Sequence, residues 1–505
     1  MKSHIKHLVL GTVTAIMAVT SFSLLFSSCS KEEGNLIDNV PYNSKVIASV
    51  NLDMILKNAG CQFRDGTIML SNDLEILRDR YFQDRATAAN MILLTASTVD
   101  LKKVIIYQLD NLDPVFTFKI KNKEIFTALA TGAAGKMEEI GKYDVFDLEK
   151  CVIMTSGDIG WISSSVSNIE QSLAQNNGKK HEGFNNAMNI IETSDKAISM
   201  AINLHQSIDA APDNGVVQHF KNTWIIGEAN LADNILGLSF KTIDRSGKAL
   251  DISPYIGEID PDFLRYTPDN TQLLVAIGNI DGIDELYTTI RTALSPEVRE
   301  SIDQFVPYIK EIDGTTSVAI NPVATGNSLT DFSLDTWDAT IMTHLPQHSV
   351  DGIVSMIGHL GTLTGQVSSD EEQPSFNVGG KEVFYGNYDG YLAFSTRPIS
   401  SNYNNSFTSD AQGSLAMLMI DIPYKSETMK AFDLPYGFHM SLRLENTSLN
   451  GRLKFNGTNA PFLSALASAM VSYARANPLP DIVTETVTDE YHDDSMIEDE
   501  LQPVE

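Results

Sequence analysis

The chain repeats itself, and a repeat restricts a chain to folds in which one topology is built twice. Val40-Pro41-Tyr42-Asn43-Ser44-Lys45 leads into the apolar run Val46–Val50, then Asn51-Leu52-Asp53 and a short helix to Gly60. Later, Thr267-Pro268-Asp269-Asn270-Thr271 leads into Leu273–Ile277, then Asn279-Ile280-Asp281 and a helix through Tyr287 and Ile290. A second match joins Gly157–Ser164 to Asn387–Ser395, with Trp161 answering Tyr391. A third joins Ala197–Asn203 to Leu415–Asp421, with Asn203 answering Asp421. Three matches in the same order at near-constant separation predict two tandem homologous halves, residues 40–260 and 266–477.

Each half alternates hairpins with connecting helices. Regular strand–helix–strand spacing is missing, so the expected class is α+β. Each half should be a mainly antiparallel sheet with helices on one face. Helices are expected over Lys123 to Ala134, over Val350 to Leu360, and from Pro461 through Phe462, Leu466, Met470 and Tyr473, with Asn459 as N-cap. The boundary falls in the Pro-, Gly- and Asp-rich stretch from Asp251 to Pro268.

The N-terminus reads as a lipoprotein signal over residues 1–28. Lys2 and Lys6 form a basic n-region, an apolar stretch runs from Leu8 to Phe26, and Ser27 and Ser28 precede Cys29. Cys29 is the expected lipid attachment site, since acyl chains hold a protein at a membrane without a spanning helix. Thr12, Thr14, Thr20, Ser21 and Ser23 weaken the alternative of a retained transmembrane anchor. Residues 29–39 form an acidic tether. Its Ser30-Lys31-Glu32-Glu33 run is similar to the short export signal that takes some Bacteroidota lipoproteins to the cell surface, and Lys31, Glu32 and Glu33 are its candidate residues. The alternative is a solvated spacer on a protein facing the periplasm.

The opening Val40-Pro41, Val46–Asp53 and Ala59-Gly60-Cys61, following such a signal, resembles the domain-of-unknown-function 4836 family of Bacteroidota lipoproteins. The resemblance covers most of the mature chain. It implies an envelope location and brings no catalytic residue with it.

The formal charge of −29 becomes more negative when Lys2 and Lys6 are removed. Such a field repels phosphate backbones, so nucleic acid is excluded as a partner. From Asp481 to Glu505 there are ten acidic residues and no Lys or Arg; residues 478–505 read as a disordered acidic tail. Three cysteines are present. With Cys29 lipidated, Cys61 and Cys151 either pair or stay as buried thiols.

Motifs for chemistry are weak. Thr131–Met137 contains Gly132, Gly135 and Lys136 but lacks P-loop spacing, and a glycine helix end explains it better. There is no Gly-x-Ser-x-Gly elbow and no Cys-x-x-Cys. His344 and His348 are four apart, yet Pro346 between them breaks the helix that would align them on a metal. His205 and His359 could join them only through the fold. Asp110 and Asp113 read as turn residues, Asp53 and Asp281 with Asp284 and Glu285 as helix openers. Trp161 and Trp224 sit in strand patterns and read as core.

No metal or cofactor is called for. The expected function is a non-enzymatic, lipid-anchored envelope protein, outer-membrane and surface-exposed, that binds or scaffolds a protein, glycan or small molecule. Two other readings stay open: a hydrolase of glycan or peptide using carboxylates in a cleft between the halves, and a carrier of an apolar ligand.

Overall fold

The computed structural model describes residues 36–64, 67–81, 98–148, 151–177, 181–204, 223–280, 299, 303, 311–322, 337–364, 367–368, 373–378, 380–401, 403, 407–426, 429 and 435–476. Residues 1–35 and 477–505 lie outside them.

Strand-forming runs rich in Val, Ile, Leu and Phe dominate. The first half supplies Val46–Val50 (β1), the small hairpin Gln62–Arg64 (β2) and Thr67–Met69 (β3), then Val104–Gln108 (β4), Val115–Lys119 (β5), Glu138–Ile140 (β6), Tyr143–Asp147 (β7), Val152–Ser156 (β8), Ile159–Ser163 (β9), Ile198–Asn203 (β10), Trp224–Ala232 (β11) and Ile235–Ile243 (β12). The second supplies Leu273–Ile277 (β13), Thr316–Pro322 (β14), Trp337–His344 (β15), Val367–Ser368 (β16), Ser375–Val378 (β17), Lys381–Tyr388 (β18), Tyr391–Ser395 (β19), Ala416–Ile422 (β20), Gly437–Leu444 (β21) and Leu449–Asn456 (β22).

Apart from the β2–β3 hairpin, these strands form one 20-stranded sheet among the described residues, with every pairing antiparallel. The order in the first half is β6-β7-β8-β9-β5-β4-β1-β10-β11-β12. In the second it is β16-β17-β18-β19-β15-β14-β13-β20-β21-β22. The sheet runs on from one set to the other because β12 pairs with β22, from Ile235↔Lys454 to Phe240↔Leu449. The halves therefore meet edge to edge, which covers one of the two edges each would carry alone.

Entry into β1 and β13 is fixed by the same local chemistry. Ser44 Oγ donates to Pro41 O at 2.8 Å and Thr271 Oγ1 to Pro268 O at 2.6 Å, a hydroxyl-closed turn. Asn203 N–H donates to Lys45 O and Asp421 N–H to Gln272 O, so these two residues hold corresponding places. The other two sequence matches need a register correction. Asn51 N–H donates to Ala197 O, and Gly278 N–H to Leu415 O, so Asn279 stands one residue past the place of Asn51. Tyr391 opens β19 after the Asp389-Gly390 turn as Ile159 opens β9 after Gly157-Asp158; Trp161 thus corresponds to Ala393. Trp161 and Tyr391 match in chemistry, but the hydrogen-bond ladder sets the register.

The helices are Leu52–Asn58 (α1), Asn72–Tyr81 (α2), Lys123–Ala134 (α3), Val166–Ala174 (α4), Phe184–Thr193 (α5), Gln347–Thr364 (α6), Thr408–Ala411 (α7) and Phe462–Ala476 (α8). Asn51 and Asn122 cap α1 and α3 by accepting from Met54 N and Ile125 N, and Gly135 ends α3 with φ 74°, which glycine adopts without strain.

The expectation of helices on one face fails in the first half. On one side of the sheet, here face A, Leu52, Ile55 and Leu56 of α1 and Phe126 of α3 pack with Val50, Val104, Phe118 and Ile162. On face B, Ile169 of α4 and Phe184, Ala187 and Ile191 of α5 pack with Ile47, Tyr107, Trp161 and Trp224. These strands are apolar on both sides, so both sides must be covered. In the second half face B is covered by the 3-10 turn Pro261–Tyr266 and by α7, over Leu274, Ala276, Ala319, Met342 and Met417. On face A, Val350 and Ile353 of α6 reach Leu392 and Phe394.

The last helix ties the halves together a second time. α8 packs Ala467 and Val471 against Leu77 of α2. Its first turn is held by Asn58, whose side-chain oxygen accepts from Leu463 N at 2.8 Å, rather than by the expected Asn459.

Candidate binding face and the polar clusters around it

Across the middle of the sheet the alternation of side chains has an unusual outcome. Antiparallel strands with one open face normally present polar residues there. On β13, Leu274 and Ala276 are buried on face B, while Leu273, Val275 and Ile277 point to face A and are only partly covered. The same holds on neighbouring strands. Following the register from β15 through β14, β13, β20 and β21, the face-A row reads Ile341, Val318, Val275, Leu418 and Leu442. It continues through Gly451 and Leu238 into the first half. Val275 is 42% exposed, Ile341 45% and Leu449 of β22 37%.

Two glycines let large side chains lie flat on this face. A Cβ at Gly227 would stand 2.8 Å from the Phe240 ring and 2.9 Å from Met200, and one at Gly451 2.7 Å from Leu442. Along β12, β21 and β22 face B is polar: Ser239 Oγ donates to Asn450 Oδ1 at 2.9 Å, and His439 Nδ1 lies 3.2 Å from Asp421 at the end of β20. The half-exposed Val, Ile, Leu, Met and Phe of face A offer a surface for apolar contact.

A polar cluster sits on face B at one end of the second half. His344 Nδ1 is 2.7 Å from Asp313, and its ring stands edge-on to Tyr391 at 5.1 Å. Tyr391 donates to Asp260 at 3.3 Å. Burial first, and then the Asp260 carboxylate, pushes the Tyr391 hydroxyl pKa well up. Tyr266 donates to Asp389, which also pairs with Arg265 at 3.0 Å; burial and then that hydrogen bond push Tyr266 up to about 12. A His–Asp pair is one part of a nucleophile-activating set. Here the other ring nitrogen faces Gly390, where even an added Cβ would stand 2.9 Å from Nε2. No nucleophilic side chain shares that contact among the described residues, so the arrangement orders a turn.

The residues singled out in the sequence are scattered. His348 lies in the first turn of α6 and His359 further along it, away from the end of β15 where His344 sits. His205, Asp281, Asp284 and Glu285 lie outside the described residues, as do Cys29, Lys31, Glu32 and Glu33. Asp53 pairs with Lys57 at 2.8 Å along α1, and Asp110 with Lys45 at 3.5 Å. Cys61 and Cys151 are free thiols beside the same core cluster, and burial pushes Cys61 up to about 11. Asn51, Asp53, Met54, Lys57, Asn58, Asp233 and Pro461 line an open recess of about 350 Å³ where α1, the β11–β12 turn and α8 meet. The apolar face itself went unread in the sequence. Its signal was there: β13, β20 and β21 carry apolar residues at the positions that alternation assigns to the open side.

No helix among the described residues is long and apolar enough to cross a membrane. No family model matches the chain, and no curated protein matches it. Among solved structures it is similar to TP0453 in crystal forms IV and III, at 11% and 12% identity and TM-scores of 0.25 and 0.27. These cover 41% and 42% of this chain and 81% of each TP0453 chain, a likeness too low to support any argument about fold or function.

Proposed function

We propose that this protein is a non-enzymatic, lipid-anchored envelope protein whose open apolar sheet face binds a partner. The half-exposed row Ile341, Val318, Val275, Leu418 and Leu442 carries this reading. Contiguous exposed apolar area on a chain of net charge −29 marks an interaction surface. The anchor and outer-membrane location rest on the sequence around Cys29, and surface exposure on Lys31, Glu32 and Glu33. The hydrolase reading has less support: Asp195 and Asp244, the carboxylates with displaced acidity among the described residues, are both shifted down by hydrogen bonds. A general acid needs the opposite shift.

We further propose that the two halves are tandem copies of one unit. The matching strand orders and the matching Pro41–Ser44 and Pro268–Thr271 turns support it.

The binding reading is tested with the mature chain and an apolar fluorescent probe. Saturable binding that Val275→Lys and Ile341→Lys abolish, with the fold intact by circular dichroism, is the expected result. Binding unchanged in both variants sinks the proposal for this face.

A further inference from the structure

Face B is open along the seam between the halves, and its floor there is basic. In the first half α4 and α5 cover face B as far as Ile226 of β11 and Ile243 at the end of β12. In the second, the cover lies over Leu274, Ala319, Met417 and Met419, out to β20. Between these layers Arg452 is exposed, and Lys241, Asn450 and Lys454 are half-exposed.

The pairing register puts one cation at each two-residue step along β22. Lys241 follows Phe240, which lies opposite Leu449, so it stands level with Ser448. Arg443 lies opposite Asn450. Arg452 stands between Gly237 and Ser441, and Lys454 between Ile235 and His439. Alternate residues of a strand share a face and repeat about every 6.6 Å, so this ladder spans about 20 Å. Arg443 already pairs with Glu445 at 3.3 Å and with Asp410 at 3.9 Å. Lys241, Arg452 and Lys454 have no ion pair or side-chain hydrogen bond among the described residues. The acids of the adjoining strands are engaged: Asp421 lies 3.2 Å from His439, and Glu228 accepts from Ser194 at 2.9 Å. In a chain with 65 acidic residues against 36 basic ones, three unpaired cations on one open face mark a place for an anion.

The ladder sets the spacing of that anion. From Lys241, the unpaired cations follow four residues and then two residues further along β22, and the step between is held by Arg443, whose charge is already met. Residues 481–505, beyond the described residues, hold ten acids and no Lys or Arg. Among them Asp494, Glu498 and Glu500 have the same spacing, and Met496 falls at the step of Arg443. In an extended chain these residues share one side at the strand's own repeat. The reach suffices. Asp494 stands 18 residues beyond Ala476, the last residue of α8. That is about 60 Å of extended chain, against about 22 Å for the whole of α8.

We infer that the acidic segment Asp494–Glu500 of this chain docks in extended form on face B along the seam, with Asp494 at Lys241, Glu498 at Arg452 and Glu500 at Lys454. Exposed ion pairs are weak one at a time, but three on a single tether gain from its high effective concentration. The site exists only where β12 meets β22, because Lys241 comes from one half and Arg452 and Lys454 from the other. The apolar face lies on the opposite side of the sheet, so the inference stands apart from the binding reading.

Carbodiimide coupling of the mature chain, which joins a carboxylate to a lysine amine with loss of water, tests it when the products are read by peptide mass spectrometry. Lys454 is expected to couple to Glu500 or Glu498, and Lys241 to Asp494. Both yields should exceed at least tenfold the coupling of the same segment to Lys102, which likewise has no ion pair. Mixing light and heavy-isotope chains separates coupling within a molecule from coupling between molecules. Arg452→Glu, at an exposed position, should lower both yields at least fivefold with circular dichroism unchanged. Salt raised from about 50 to about 500 mM should lower them in the unaltered chain, because screening shortens the range of attraction. Equal coupling at Lys102, coupling only between molecules, or unchanged yields in a folded Arg452→Glu variant overturns the assignment. If Arg452→Glu fails to fold, the salt series decides: yields that do not fall overturn it.

Discussion

The two halves share a strand order and differ in what they place on it. In the first, helices cover both faces, and Tyr107, Trp161 and Trp224 fill face B under α4 and α5. In the second, face B is closed by a 3-10 turn and the one-turn α7, while much of face A stays half-exposed. Polar groups follow the same divide. Where the first half has Leu109 and Ile159, the second has Asn321 and Tyr391. A shared hydrogen-bond ladder thus fixes topology in both, and the freedom to vary lies in the layers laid on the sheet. The first half is the better buried scaffold; the second leaves apolar side chains such as Val275 and Ile341 half-exposed on face A.

Deep truncation of the first half's core is the severest way to break this contrast. Trp224 is fully buried, packs edge-on with Phe184 and donates its indole N–H to Glu182 O at 2.8 Å. Trp224→Ala should cost about 3–5 kcal/mol in chemical denaturation. Because β11 leads through β12 into β22, one cooperative transition for both halves is expected. Two separated transitions, with the second half unaffected, would show that the β12–β22 seam transmits little.

Next in size is the tie made by α8. Asn58→Ala removes the acceptor for Leu463 N, an N-cap loss of about 1 kcal/mol. Thermal melting followed through α8, by a label at exposed Tyr473, should show that helix fraying first. Unchanged melting would mean that the α2–α8 packing alone holds the halves.

Alkaline pH sharpens the comparison further. Tyr107 in the first half and Tyr266 in the second both have pKa values raised to about 12, chiefly by burial. An acid whose folded pKa exceeds its unfolded value keeps its proton when folded and releases it when unfolded. Stability is therefore full below about pH 10 and falls as pH rises from there toward 12. Cys61, raised to about 11, begins the same loss nearer pH 9. Tyr107→Phe and Tyr266→Phe should each flatten the loss above pH 10, read by denaturation at pH 9 and 11. A steeper loss in either variant contradicts the burial account.

Much of the fold was legible because it rests on local pattern. The helices α3 and α6, expected over Lys123 to Ala134 and Val350 to Leu360, follow from periodicity. What stayed hidden depends on pairing between distant residues. Trp161 and Tyr391 look equivalent by chemistry, yet the ladder sets them two places apart. Asn58 capping a helix 405 residues away leaves no local mark. Asn321 reads as an ordinary strand-end polar residue; only the folded sheet reveals that it is buried without partners.

The smallest expected effect is the most telling about the open face. Ile341 on β15 and Phe116 on β5 hold corresponding places on face A: Phe116 lies opposite Ile106 and Ile162, Ile341 opposite Val318 and Phe394. Phe116 packs against the first half's buried cluster, so Phe116→Thr removes contacts that folding made. Ile341 is 45% exposed and has far less to lose. Ile341→Thr should change stability by no more than about 0.5 kcal/mol, the range of ordinary surface substitutions. Phe116→Thr should cost clearly more, about 1–3 kcal/mol for the loss of a partly buried aromatic. Denaturant midpoints at constant slope measure both. Equal costs would mean that face A of the second half is packed as firmly as that of the first, and the binding reading would lose the observation it stands on.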